Sequence, residues 1–140
     1  MPPFIQNIDD SFVAFFQQIA NPALNAVMSA ITALSDKGII WIVICLVLIV
    51  YKPTRFWGIF AAAALACAWA TDELILKSIF LRDRPFIANP AVVLAIDPPH
   101  GYSFPSGHSA SALVVAIFLL YCPVIKKGLK AVIFVYAVLV

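Results

Sequence analysis

The sequence predicts an all-α integral membrane bundle of about four to five hydrophobic helices, organised as a single domain over residues 1–140. Two observations carry that prediction. The chain is 64% hydrophobic and only 11% charged, with a mean hydropathy of +1.01, whereas soluble domains are about half apolar and about a quarter charged. Its apolar residues also fall into runs of helical length, separated by short polar pieces. The formal charge of +2 comes without a basic block, which speaks against a nucleic-acid partner.

The clearest span is residues 57–80, rich in Ala, Leu and Ile. At about 1.5 Å per residue it crosses a hydrocarbon core of about 30 Å with ease. Residues 38–51 are as apolar but short, and span only by borrowing flanking turns or thinning the bilayer. Residues 106–122 make a third run, which Pro123 closes. From Leu129 the sequence is apolar again up to Val140, too short a run to cross, so the chain reads as cut off. Before residue 36, Phe12, Phe15, Phe16 and Ile19 repeat at helical spacing, with Asp9, Asp10, Gln17 and Gln18 on other faces. Asn21-Pro22 breaks that run and Ala23 to Leu34 forms another. An interfacial helix followed by a partial span fits, and so does one kinked span. Met1 to Asp10 lacks a basic leader region, so no cleaved signal peptide is expected. Cys45, Cys67 and Cys122 sit inside apolar runs without metal-ligand spacing and read as buried small hydrophobes.

Basic residues in short loops set the expected orientation. Lys52 and Arg55 precede the long run, and Lys126, Lys127 and Lys130 follow the 106–122 run. These loops are two crossings apart and share a face, expected to be cytoplasmic. Loop 81–105 then faces outward, with Arg82 and Arg84 as its opposing cations.

Two polar pieces flank that outer loop. Lys77 lies near the end of the long run and Arg84-Pro85 follows. Pro85 disfavours helical geometry at Arg84, so the chain is expected to turn there and bring a point charge and a planar fork to one anion. The plainer reading is a snorkelling lysine and an ordinary juxtamembrane arginine. Pro105-Ser106-Gly107-His108 opens the next run. A helix start offers free N–H groups and a favourable dipole to an anion, Gly107 permits close approach, and Ser106 adds a hydroxyl. His108 would stand beside the anion as donor, acceptor or nucleophile. Its plainer reading is a Pro-Ser helix cap followed by an interfacial histidine. Jointly the two pieces weigh more, because they share one loop, one membrane face and one ligand charge.

Lys77-(x)6-Arg84-Pro85 followed by Pro105-Ser106-Gly107-His108 resembles the first two signature motifs of the type 2 phosphatidic acid phosphatase family. The surrounding Leu81 to Phe86 and Tyr102 to Ser109 look similar too, and the layout extends over roughly residues 22–140. The resemblance implies a membrane enzyme that removes phosphate from lipid phosphates or diphosphates without a metal or other cofactor. It implies that Lys77, Arg84, Ser106 and the Gly107 amide hold phosphate while His108 protonates the leaving oxygen. Polyprenyl diphosphate, phosphatidylglycerophosphate and phosphatidate are the substrates it suggests. The expected place is the plasma (inner) membrane, with the site on the outer face. Soluble vanadium haloperoxidases share the constellation, but the hydrophobicity here argues against them.

The third family motif, Ser-Arg-(x)5-His-(x)3-Asp, is absent from these 140 residues: no His, Asp or Arg follows His108. That motif supplies the attacking histidine. The resemblance therefore implies the N-terminal part of a six-helix domain, with the attack coming from beyond Val140. The alternative is a truncated or degenerate member that binds lipid phosphate without turnover. His100, the other imidazole, reads as a loop or substrate-rim residue. Glu73 is placed i,i+4 to Lys77 and, with Asp72, reads as support for the lysine. Asp83 is left to pair with Arg82 or Arg84. Trp41, Trp57 and Tyr102 read as membrane anchors near the interfaces.

Overall fold

The structure is a computed structural model that describes residues 3–140. Met1 and Pro2, the start of the segment read as lacking a basic leader, lie outside the described residues. Those described form helices and no strand, so the all-α prediction holds. The helices are α1 (Pro3–Ile19), α2 (Pro22–Leu34), α3 (Ile39–Val50), α4 (Arg55–Ala70), α5 (Lys77–Phe80), α6 (Pro85–Ala88), α7 (Gly107–Tyr121) and α8 (Lys127–Leu139). Between α4 and α5 the chain stays helical through a π-helical segment, Thr71–Leu76. The 16, 6 and 4 residues thus run on as one rod.

Helical stretches Pro22–Val50 and Lys52–Ala88 are long and apolar enough to cross a membrane, and Gly107–Tyr121 is a shorter apolar helix. The first stretch is not one straight span. Lys37 (φ 53°) and Gly38 (φ 69°) are both left-handed and separate α2 from α3. Asn21 caps α2 by accepting from Leu24 N at 2.9 Å, and Pro22 fills the first position, where no N–H is needed. No residue of α2 is buried, and the α1 row Phe4, Phe12, Phe15 and Phe16 is exposed. Such faces suit lipid rather than a protein core.

The packed core belongs to α3, α4, α7 and α8. Ala112, Val115, Ala116 and Leu119 put one face of α7 inside, at the i, i+3, i+4, i+7 spacing of a helical stripe. Ala61 of α4 and Trp41, Cys45 and Leu48 of α3 meet it, with Ala137 of α8 closing the cluster. Lipid tails are as apolar as these side chains, so contact area alone gives little drive here. Close van der Waals fit does more, which favours the small residues at the α4 and α7 crossings. Gly58 is the tightest point: a Cβ there would lie 2.8 Å from Ile49 N and 2.8 Å from Leu48 Cβ.

The basic loops end helices as well as marking a face. Thr54 Oγ1 donates to Leu48 O at 2.9 Å and Arg55 Nε to Ile49 O at 2.9 Å, capping the carbonyl end of α3. Lys130 Nζ donates to Leu120 O at 2.6 Å at the end of α7. Cations placed there also meet the negative end of each helix dipole.

Two expectations need correction. Trp41 is not an interfacial anchor. It is fully buried, and its ring lies 5.6 Å from that of Tyr136, because its side of α3 faces the bundle rather than lipid. Cys67 is exposed, on the side of α4 away from the bundle, whereas Cys45 and Cys122 are buried as expected.

Candidate functional site

The site lies at the end of the bundle opposite the basic loops. There the α2–α3 turn, the α4–α5 rod, loop 81–105 and the start of α7 surround a cavity of about 670 Å3. Lys77, Arg84, Ser106, Gly107 and His108 all line it. Five residues drawn from two separate pieces of sequence therefore share one space.

Each is positioned by local chemistry. The Lys77 ammonium forms an ion pair with Glu73 one turn earlier, the i,i+4 arrangement read from the sequence. The rod stops at Leu81, whose left-handed φ of 44° turns the chain out of the helix. Arg84 is extended (φ −76°, ψ 149°) before Pro85, as the proline requires. Its guanidinium donates from Nε to Gly101 O at 3.0 Å and from a terminal nitrogen to His100 O at 2.9 Å. Ser103 makes the same connection one strand of loop further on: its N–H donates to Arg82 O at 2.8 Å and its hydroxyl to Asp83 O at 2.8 Å. These bonds fold the loop back on itself and carry the second polar piece to the first. Phe80 and Phe104 also pair across the two pieces, with ring centroids 4.9 Å apart and planes nearly perpendicular.

Ser106 is the N-cap of α7, accepting from Ser109 N at 3.3 Å. The capping reading is thus correct for its side chain, and the hydroxyl still lines the cavity. Ala110 N donates to Ser106 O at 2.9 Å. The amides of Gly107 and His108 have no acceptor among the described residues, which leaves two donors at the positive end of α7 for a ligand. His108 Nε2 is buried and has no partner among the described residues.

Sequence reasoning passed over part of this wall. Ser35, Asp36, Lys37 and Gly38 line the cavity from the α2–α3 turn, a segment no motif marks. Asp72 is 3% exposed with both carboxylate oxygens unpartnered, and Oδ2 would lie 3.4 Å from a Cβ on Gly107. Beyond supporting Lys77, it borders the helix start directly. His100 also lines the cavity, at its loop side. Arg82 does not: it pairs with Asp9 of α1. Asp83, left open between two arginines, has no ion-pair partner among the described residues.

Among the described residues no group of three or more His, Cys, Asp or Glu is arranged to hold a metal ion. What the cavity offers is fixed positive charge, free amide donors and an unpartnered imidazole nitrogen, with carboxylates that neutralise the cations while no anion is bound. No curated protein and no solved structure matches the chain. A family model described as the PAP2 superfamily matches residues 57–140, which takes in the α4–α5 rod, the outer loop with both polar pieces, α7 and α8. Because that match covers more than half of the sequence and contains every one of the five motif side chains, the chain belongs to the PAP2 superfamily.

Proposed function

We propose that this site holds the phosphate of a membrane lipid and serves its hydrolysis as a phosphomonoester or diphosphate. Membership of the superfamily supports a phosphatase-type function in general. The observation that carries the finer reading is the convergence of Lys77, Arg84, Ser106, Gly107 and His108 on one cavity, at the end of the bundle opposite the basic loops. Lys77 and Arg84 neutralise equatorial oxygens, the second through the fork geometry that suits phosphate. The Gly107 amide and the Ser106 hydroxyl donate to the remaining oxygens at the helix start. Held this way, charge that builds on the oxygens in the transition state meets donors already in place, with no reorganisation at the moment of reaction. His108 gives a proton to the leaving oxygen as its bond to phosphorus breaks. The lipid reaches the site from the outer leaflet of the plasma membrane, sliding between faces that already meet lipid. Polyprenyl diphosphate, phosphatidylglycerophosphate and phosphatidate all have the required head group.

The attacking histidine of the family belongs to a third motif that these 140 residues do not contain. That observation favours a second reading for the chain on its own: it binds lipid phosphate without turning it over. One experiment separates the readings. The 140-residue chain in detergent, with chelator present, is given a lipid phosphate, and both binding and release of inorganic phosphate are followed. Release that His108→Ala lowers at least a hundredfold supports hydrolysis. Binding without release supports the second reading. No binding, or turnover only with a divalent ion, refutes the assignment of the site.

A further inference from the structure

The turn between α2 and α3 is a built element. Ser35 is 1% exposed, and its hydroxyl shares a 2.8 Å hydrogen bond with Tyr136 Oη of α8, which donates onward to Ile31 O at 3.3 Å. The next residues therefore leave the bundle from a fixed point. Lys37 and Gly38 are both left-handed, at φ 53° and φ 69°. A glycine adopts that conformation freely, but a lysine seldom does, and residues held this way gather at ligand sites. The turn lines the same cavity as the phosphate-binding group.

The three cations lining the cavity are not equally engaged. Lys77 is paired with Glu73, and Arg84 is bonded to two loop carbonyls. Lys37 is exposed and has no carboxylate or carbonyl partner among the described residues. Asp36, Asp72 and Glu73 line the cavity as well, so the formal charge of its wall balances only with Lys37 included. A site for a single phosphate already has Lys77, Arg84 and the α7 amides. A further, uncommitted cation on a flexible stem, in a turn that packs beside α7, suits a ligand with more negative charge than one phosphate group. A lipid diphosphate brings that charge as a second phosphoryl group next to the first.

We propose that Lys37 is a specificity-determining residue that binds the second phosphoryl group of a lipid diphosphate, while Lys77, Arg84 and the start of α7 hold the first. The inference rests on the phosphate-site reading above. In it the terminal phosphoryl group sits at α7 and the phosphoryl group nearer the lipid faces the α2–α3 turn. Asp36 flanks Lys37 in that turn and sets a limit on how far the anion extends past it.

Farnesyl diphosphate and farnesyl monophosphate share one apolar tail and serve as the probes, with affinities measured on the 140-residue chain in detergent. The unaltered chain is expected to bind the diphosphate more tightly. Lys37→Gln should weaken the diphosphate about tenfold and the monophosphate by less than about twofold, and Lys37→Arg should stay within about threefold for both. Thermal unfolding of each variant is followed in parallel, and the exposed position predicts no change. Equal weakening of both lipids, no weakening of either, or equal affinity of the unaltered chain for the two probes would overturn the assignment of Lys37 and leave the phosphate site standing. Failure of the unaltered chain to bind either probe would instead overturn the phosphate site, and the inference with it.

Discussion

Gly58→Ala tests how much of the bundle's stability rests on the close α3–α4 crossing. The added Cβ would meet Ile49 N at 2.8 Å, Leu48 Cβ at 2.8 Å and Leu48 C at 2.9 Å. Carbon pairs are comfortable at about 3.5–4.0 Å, so relief requires the two helices to part by about 0.7–1.2 Å. Two of the three contacts are with backbone, which has no rotamer to change. Overpacking of this kind costs about 1–3 kcal/mol, and the absence of side-chain relief places it near the upper end. Replacing a helical glycine with alanine returns about 1 kcal/mol of propensity. The net expectation is a loss of about 2 kcal/mol, or about thirtyfold in the folding equilibrium. Gly128→Ala is the control: nothing lies within 4 Å of its Cβ, so only the propensity gain applies. Both variants are compared with the unaltered chain by denaturant titration in one detergent. The reasoning fails if Gly58→Ala is as stable as the parent, or if both glycine variants shift in the same direction.

Other consequences are more local. Gln17 accepts from Val93 N and donates to Val93 O, both at 3.0 Å, and Asp9 pairs with Arg82, so α1 clamps the outer loop on either side of Arg84. The double change Asp9→Asn, Gln17→Ala should speed limited proteolysis within loop 81–105 several-fold and leave unfolding of the bundle within about 1 kcal/mol of the parent. Tyr136→Phe removes the partner of the buried Ser35 hydroxyl and should cost about 0.6–1.7 kcal/mol in the same denaturant titration. Lys130→Met takes away the cation at the α7 carbonyl end and should cost about 0.3–1 kcal/mol, recovered by Lys130→Arg. Gly107→Ala makes only ordinary contact with the protein, at 3.4 Å from Asp72 Oδ2. It should therefore keep its stability while weakening phosphate binding at least about tenfold, as read by isothermal titration.

Much of the fold was legible because membrane helices announce themselves through composition. The runs at 38–51, 57–80 and 106–122 match α3, the α4–α5 rod and α7 to within a residue or two at each end. Ends were legible too, since Pro85 and Pro123 act on the backbone next to them whatever the tertiary context. The role of each helix face was not. Trp41 sits one turn into an almost uniformly apolar helix, where no polar stripe shows which side meets protein and which meets lipid. Periodicity distinguishes water from core, and in a bilayer that contrast is missing. Cys67 was misplaced for the same reason.

The site divides along a similar line. Lys77, Arg84 and the Ser106 to His108 turn were visible because their chemistry is local to a few residues. Asp72 was undervalued because its position depends on a change of helical register. In a regular α-helix, residues five apart lie about 140° from one another, so Asp72 and Lys77 would address different surroundings. Here Lys77 N–H donates to Asp72 O, five residues back, and the π-helical segment Thr71–Leu76 draws the two toward one face. That single widened turn gives the cavity both Lys77 and the buried carboxylate of Asp72. Glu73 pairs with Lys77 across the four-residue spacing that an unbroken helix uses. Insertions of this kind are found at functional sites more often than elsewhere because they cost hydrogen-bond geometry that packing alone would not retain. The π-turn, which neither motif marks, is therefore what adds a buried carboxylate to the cavity wall beside Lys77.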